Sequence, residues 1–190
     1  AFLRIEFNGS SWLVRDKSGT KFYFGQTNPS RLDTARGTFE WRLDRVEDTN
    51  GNFMEITYQK DGVMLYPDEC RYAGHVSTGL APANLVKFIL ENRPDPVGSL
   101  ISGEEVRIAK RLKEIQVYAG ADLARHFTLN YHQSAETGRS MLDSITHSGA
   151  TGAFLPPTKF SYQEDSETTY SVRQNTNSLG NRRWMVRTGA

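Results

Sequence analysis

The sequence predicts an all-β chain, mostly antiparallel, arranged as a sandwich or an open curled sheet of successive hairpins with few or no helices. Three segments carry that expectation. Residues 12–24 and 39–58 are each a pair of alternating apolar and polar runs bent around a polar turn containing glycine, which is how a hairpin with one buried face is written. Residues 115–131 repeat the pattern around Gly120.

Taken in order, the opening 1–7 alternates like a strand. Trp12 and Val14 then share one parity, Asp16-Lys17-Ser18-Gly19 supplies the turn, and residues 21–24 return. Gly19 can take the positive φ that a bulged hairpin loop demands. Residues 25–36 read as a loop. Phe39, Trp41 and Leu43 open the second hairpin on one face, but Val46 breaks parity, so a bulge near Asp44 or Arg45, or a strand end there, is required. After Asp48-Thr49-Asn50-Gly51-Asn52, the positions Met54, Ile56 and Tyr58 resume the alternation.

A turn at Lys60-Asp61-Gly62 leads into residues 63–66, and 69–73 reads as another short strand. Residues 75–84 have no period and form a loop. The apolar run 85–90 should stop at Pro94 and Pro96, neither of which can donate to a ladder. In 104–112 a helical turn competes with a strand. Residues 140–146 form a strand, and a last one is expected at 159–162, after Pro156 and Pro157. The stretch 164–179 is polar and poorly patterned. The expected division is therefore a β-rich region over 1–165, with a break near 92–104 that could separate two sub-sheets, and a polar tail over 166–190.

Composition narrows the function classes. With 23 basic and 22 acidic residues among 190, the formal charge is +1, and no overall field favours nucleic acid or an acidic membrane. A content of 37% apolar residues suits a folded chain, yet no run reaches the roughly 18–20 apolar residues of a spanning helix. There is no signal-peptide pattern, and the absent initial Met with a strand-like start points to a chain beginning inside a longer protein. The single cysteine, Cys70, rules out an intrachain disulfide framework and a Cys-based zinc site; a buried apolar role suits it better than a reactive one.

Candidate chemistry is sparse. Asp48-Thr49-Asn50-Gly51-Asn52 has oxygen donors at alternate positions like the start of a calcium loop, but an EF-hand needs Gly sixth and Glu twelfth, where this chain has Gly fourth and Gln59 twelfth. A plain turn is the better reading. His126 and His132 share the polar parity of their strand, roughly 20 Å apart at about 3.3 Å per residue, too far for one metal ion. No nucleophile elbow, Cys–His arrangement or phosphate loop is present. No two carboxylates stand out as a glycosidase pair. Arg107, Lys110, Arg111 and Lys113 lie among Glu104, Glu105 and Glu114, which reads as a solvated face rather than a nucleic-acid site. The aromatics Trp12, Phe22, Phe24, Phe39, Trp41 and Tyr58 could line a sugar platform, although their parity favours packing.

The order of these pieces resembles a known family. Trp12, Asp16, Gly19, Trp41, Asp48, Gly51, Asn52 and Tyr58, then Arg93-x-Asp95, then Arg111, Leu112, Ile115, Leu129, Tyr131, Ser140, Leu142, Ile145, Pro156-Pro157, Phe160 and Tyr162 are similar to the N-terminal region of the SpvB/TcaC family. That family includes the B components of bacterial insecticidal toxin complexes and is allied to Rhs/YD-repeat proteins. The resemblance covers about residues 10–165. It implies a secreted, β-rich shell that, with a C component, encloses a toxic polypeptide and passes it to a membrane-piercing A component. It implies no cofactor and no catalytic residue here, since ADP-ribosyltransferase activity belongs to a far C-terminal domain of some members. It also implies that the chain's partners include the rest of its own polypeptide, with FG-GAP-like repeats following residue 190. The competing expectation is a carbohydrate-binding β-sandwich of a bacterial surface protein.

Overall fold

The computed structural model describes residues 2–100, 105–162, 172–176 and 182–186. The chain divides into two units, Ala1–Phe160 and Ser161–Ala190. Within the first unit the strands are β1 (Arg4–Phe7), β2 (Trp12–Arg15), β3 (Lys21–Phe24), β4 (Arg31–Thr34), β5 (Gly37–Trp41), β6 (Leu43–Glu47), β7 (Asn52–Asp61), β8 (Met64–His75), β9 (Asn84–Ser99), β10 (Val106–Ala119), β11 (Asp122–Gln133), β12 (Ser140–Gly149) and β13 (Phe154–Lys159). The second contains β14 (Val172–Thr176) and β15 (Arg182–Val186), an antiparallel pair. The expectation of an unpatterned 164–179 thus gives way to a strand over part of it; 163–171 and 177–181 lie outside the described residues.

Eleven strands form one antiparallel sheet in the order β1-β2-β3-β6-β7-β8-β9-β10-β11-β12-β13, a meander interrupted by the separate β4–β5 hairpin. Such a meander needs only short loops, and the turn residues supply them. Gly62 and Gly120, both at positive φ, begin two-residue loops between Asp61 and Met64 and between Ala119 and Asp122.

Four expectations need correction. Residues 25–36 are not simply a loop: a 3-10 turn at Asn28–Ser30 leads into β4, which pairs with β5. The strand through Phe39 and Leu43 is split, with β5 outside the main sheet and β6 inside it. The expected bulge is present at Asp44, since β3 pairs Tyr23 with Arg45 and Phe24 with Leu43, leaving Asp44 extra. Pro94 and Pro96 do not end their strand. β9 runs through them because residues 93–96 bulge off β10, which pairs Val97 with Ile108 and Asn92 with Lys110. Pro156 and Pro157 likewise lie inside β13, both opposite Thr146 at a register shift, whereas 160–162 lie beyond the strand. Residues 106–112 form the start of β10, and the described part of 104–112 has no helical turn.

Register makes the sheet two-faced, because directly paired residues share a face. One row runs Ile5, Val14, Phe22, Val46, Met54. It continues on the same parity through Ile56, Cys70, Val86 and Val117, and beside them Phe88, Ile115, Phe127, His147 and Leu155. The opposite face carries Lys21–Glu47 at 2.8 Å, Arg45–Glu55 at 2.9 Å, Arg71–Glu69 at 2.8 Å and His126–Glu114 at 3.0 Å. Among the described residues the apolar row is mostly part-buried, and Ile5 and Leu155 are exposed. Among the described residues the buried hydrophobic side chains are Leu32, Leu65 and Tyr66, where β4 packs against β8.

Candidate functional site

The residues singled out in the sequence do four kinds of work. The two Asp turns are the same device. At 16–20, the Thr20 amide donates to the Asp16 carboxylate at 3.0 Å and the Ser18 hydroxyl at 2.6 Å. At 48–52, the amides of Asn50 and Asn52 donate to Asp48 Oδ1 at 2.9 and 2.8 Å, and Asn52 Nδ2 donates to Oδ2 at 2.8 Å. Gly19 and Gly51 take φ 85° and 88°. These donors hold both carboxyls below the usual range, led by Ser18 at Asp16 and by Asn52 at Asp48. Asp48 is therefore occupied as a turn acceptor.

Phe7, Trp12 and Trp41 form an aromatic cluster at one edge of the sheet. Trp12 and Trp41 meet edge to face at 5.9 Å and 90°, and Phe7 lies 4.5 Å from Trp12. Trp41 Nε1 donates to the Ser10 carbonyl at 2.8 Å, and a Cβ on Gly25 would sit 2.3 Å from its Cδ1. Rings locked at right angles pack against each other rather than presenting a coplanar platform for a sugar.

Tyrosines satisfy backbone where ladders fail. Tyr58 donates to the Leu43 carbonyl at 2.7 Å, just beyond the end of the β6–β7 pairing. Tyr131 donates to the Leu112 carbonyl at 2.6 Å, beyond the β10–β11 pairing. Burial pushes both phenols up. Tyr66 does the converse, accepting the amides of Ala109 and Lys110 at 2.9 and 3.2 Å, opposite the 93–96 bulge.

That bulge places a polar cluster. Arg93 forks onto Asp95 with Nε–Oδ1 at 3.1 Å and Nη2–Oδ2 at 2.9 Å, while Ser140 of β12 donates its amide to Oδ2 at 2.9 Å and its hydroxyl to Oδ1 at 2.5 Å. Arg111 donates to Ser140 Oγ at 2.7 Å and to Glu91 at 2.7 Å, and its guanidinium lies 4.3 Å from the Tyr131 ring. The Arg93 fork, then the Ser140 donors, hold the Asp95 carboxyl well below the usual carboxylate range. Each Asp95 oxygen takes two protein donors, so the group is poorly placed to move a proton near neutrality or to ligate a metal. Its chemistry is that of a clamp joining β9 to β12.

Of the motif residues, the clamp gathers Tyr131, with Leu112 joined to it through its carbonyl; Ile115 lies on the apolar row and Leu142 on β12. Phe160 donates its amide to the Asp143 carbonyl at 2.9 Å, and its side chain, like that of Tyr162, is exposed. Asp44 and Tyr66 stand outside the motif. Asp44 is buried and accepts the Thr27 amide at 2.9 Å and the Ser30 hydroxyl at 2.7 Å, tying the 3-10 turn to the sheet. The parity break at Val46 was the signal for it; Tyr66 gave none.

Comparison with solved structures decides the architecture. The N-terminal domain of effector protein SpvB from Salmonella typhimurium strain LT2 matches with a TM-score of 0.67 at 16% identity, over 78% of this chain and 66% of that one. A Photorhabdus luminescens Tc holotoxin pore with a TccC3 mutation matches with a TM-score of 0.76 at 16% identity, over 92% of this chain and 11% of that one. The chain has the SpvB/Tc-toxin fold. A TcdB2–TccC3–TEV crystal structure agrees, with a TM-score of 0.69 at 15% identity over 87% of this chain and 11% of that one. The chain thus spans about two thirds of the SpvB domain and about a ninth of the Tc chains. No family model and no curated protein matches the sequence. The single eleven-stranded sheet of this chain selects the open-sheet alternative over a sandwich of two sheets.

Proposed function

We propose that this chain is a non-catalytic wall segment of a secreted bacterial toxin-complex or virulence protein of the SpvB/TcaC type. Its role is to form part of a β-rich shell that, with a C component, encloses a toxic polypeptide for transfer to an A component. The observation that carries the reading is the two-faced sheet: among the described residues of the first unit, an apolar row across β1 to β13 has no second layer over most of its width, as a piece of a larger wall would. Coverage of about a ninth of the Tc chains supports a larger parent protein. In this reading residues 1–165 are the wall region, the motif residues hold it together, and 166–190 lead toward a further domain.

The test is to delete residues 1–162 from the parent protein, co-express it with its C component, and digest the complex with protease. Loss of protection of the enclosed polypeptide is expected. Unchanged protection would reject the wall role.

A further inference from the structure

The two edges of the main sheet differ. At β13, Pro156 and Pro157 lie within the strand, two consecutive residues with no backbone donor to offer a further strand. At β1 there is no proline and, among the described residues, no strand pairs with its outer side. The side chains there are apolar and open: Leu3 is 54%, Ile5 58% and Phe7 49% exposed.

We infer that β1 is a self-complementary strand edge and that its occupant is the β1 of a second copy of this chain. An antiparallel pair related by a two-fold axis through Ile5 sets Ile5 opposite Ile5, Arg4 opposite the other copy's Glu6, and Leu3 opposite the other copy's Phe7. Every position in this register meets a matching one: charge meets opposite charge twice, and apolar meets apolar on the face already apolar in the sheet. Arg4 and Glu6 already pair within one strand at 2.5 Å, so both side chains lie together at the edge. A register slipped by one residue would put apolar side chains opposite charged ones on the wrong face. The inference is independent of the wall reading, which assigns no partner to β1.

The test uses the full 190-residue chain in sedimentation velocity over a concentration series, with Arg4→Glu and Glu6→Arg. The unaltered chain should dimerise with rising concentration. Each single variant places like charges opposite each other twice and should weaken the dimer about tenfold. An equimolar mixture of the two variants restores opposite pairs and should recover dimerisation, a rescue that a folding defect would not produce. A monomer throughout the series, variants that dimerise as well as the parent, or a mixture that fails to recover would each overturn the inference. A dimer lost instead on replacing Val76 and Leu80 with Ser would move the interface to the 75–82 loop and overturn it too.

Discussion

The Tyr66 hydroxyl on β8 accepts the Ala109 amide of β10 at 2.9 Å, spanning the place where β9 bulges away from its neighbour. Without it, the Ala109 and Lys110 amides face a gap left by a proline-bearing segment. Tyr66 is 6% exposed, so water is a poor substitute. Tyr66→Phe should therefore destabilise the chain by about 1–3 kcal/mol in urea unfolding. Faster hydrogen exchange confined to 109–110 should accompany it; unchanged exchange there would show that the hydroxyl is dispensable.

The Asp95 clamp sets a pH dependence. Its carboxyl titrates lower when folded than the unfolded value of about 3.9, so its contribution is complete above that value and is lost as pH falls toward the folded one. The melting temperature should fall below about pH 4. Asp95→Asn should lower it at neutral pH and flatten the acid limb. Parallel acid limbs for parent and variant would contradict this.

Two glycines separate backbone strain from crowding. Gly51 has φ 88° and open space, with the nearest atom to an added Cβ at 3.6 Å, so Gly51→Ala should cost about 1–2 kcal/mol. Gly25 has φ 71° and the Trp41 ring at 2.3 Å, so Gly25→Ala should add overpacking for a total above about 3 kcal/mol. Equal costs by chemical denaturation would show that Trp41 yields freely.

A single-layer sheet predicts uneven sensitivity. Leu65→Ala, at 2% exposure, should cost about 2–5 kcal/mol, whereas Val46→Ala on the half-exposed row should cost below about 1 kcal/mol in this chain alone. A large Val46 effect in the isolated chain would mean that the row is already covered.

The sequence made the hairpins legible wherever parity and a glycine turn coincide, as at Asp16–Gly19, Asp48–Gly51 and Gly120. It misled at the prolines. Pro94 and Pro156 were expected to end or precede strands, but each lies in a bulge where its missing donor is not needed, and that depends on the neighbouring strand. β4 was hidden because Arg31, Asp33 and Thr34 carry no apolar alternation; Leu32 alone supplies its buried contact. The Asp95 clamp was visible only as an Arg-x-Asp pair, since Ser140 arrives from 45 positions away.

Cys70 reports whether the apolar row is covered, because it is the one thiol of the chain and sits on that row between Ile56 and Val86. It is half-buried, and burial pushes its thiol up, so maleimide should modify it slowly but completely in the isolated chain. In the assembled parent complex, peptide mapping should show labelling at Cys70 slowed by at least about tenfold, because another layer covers the row. Equal labelling rates in the isolated chain and in the assembly would mean that the row stays open there and that this sheet is not a covered wall.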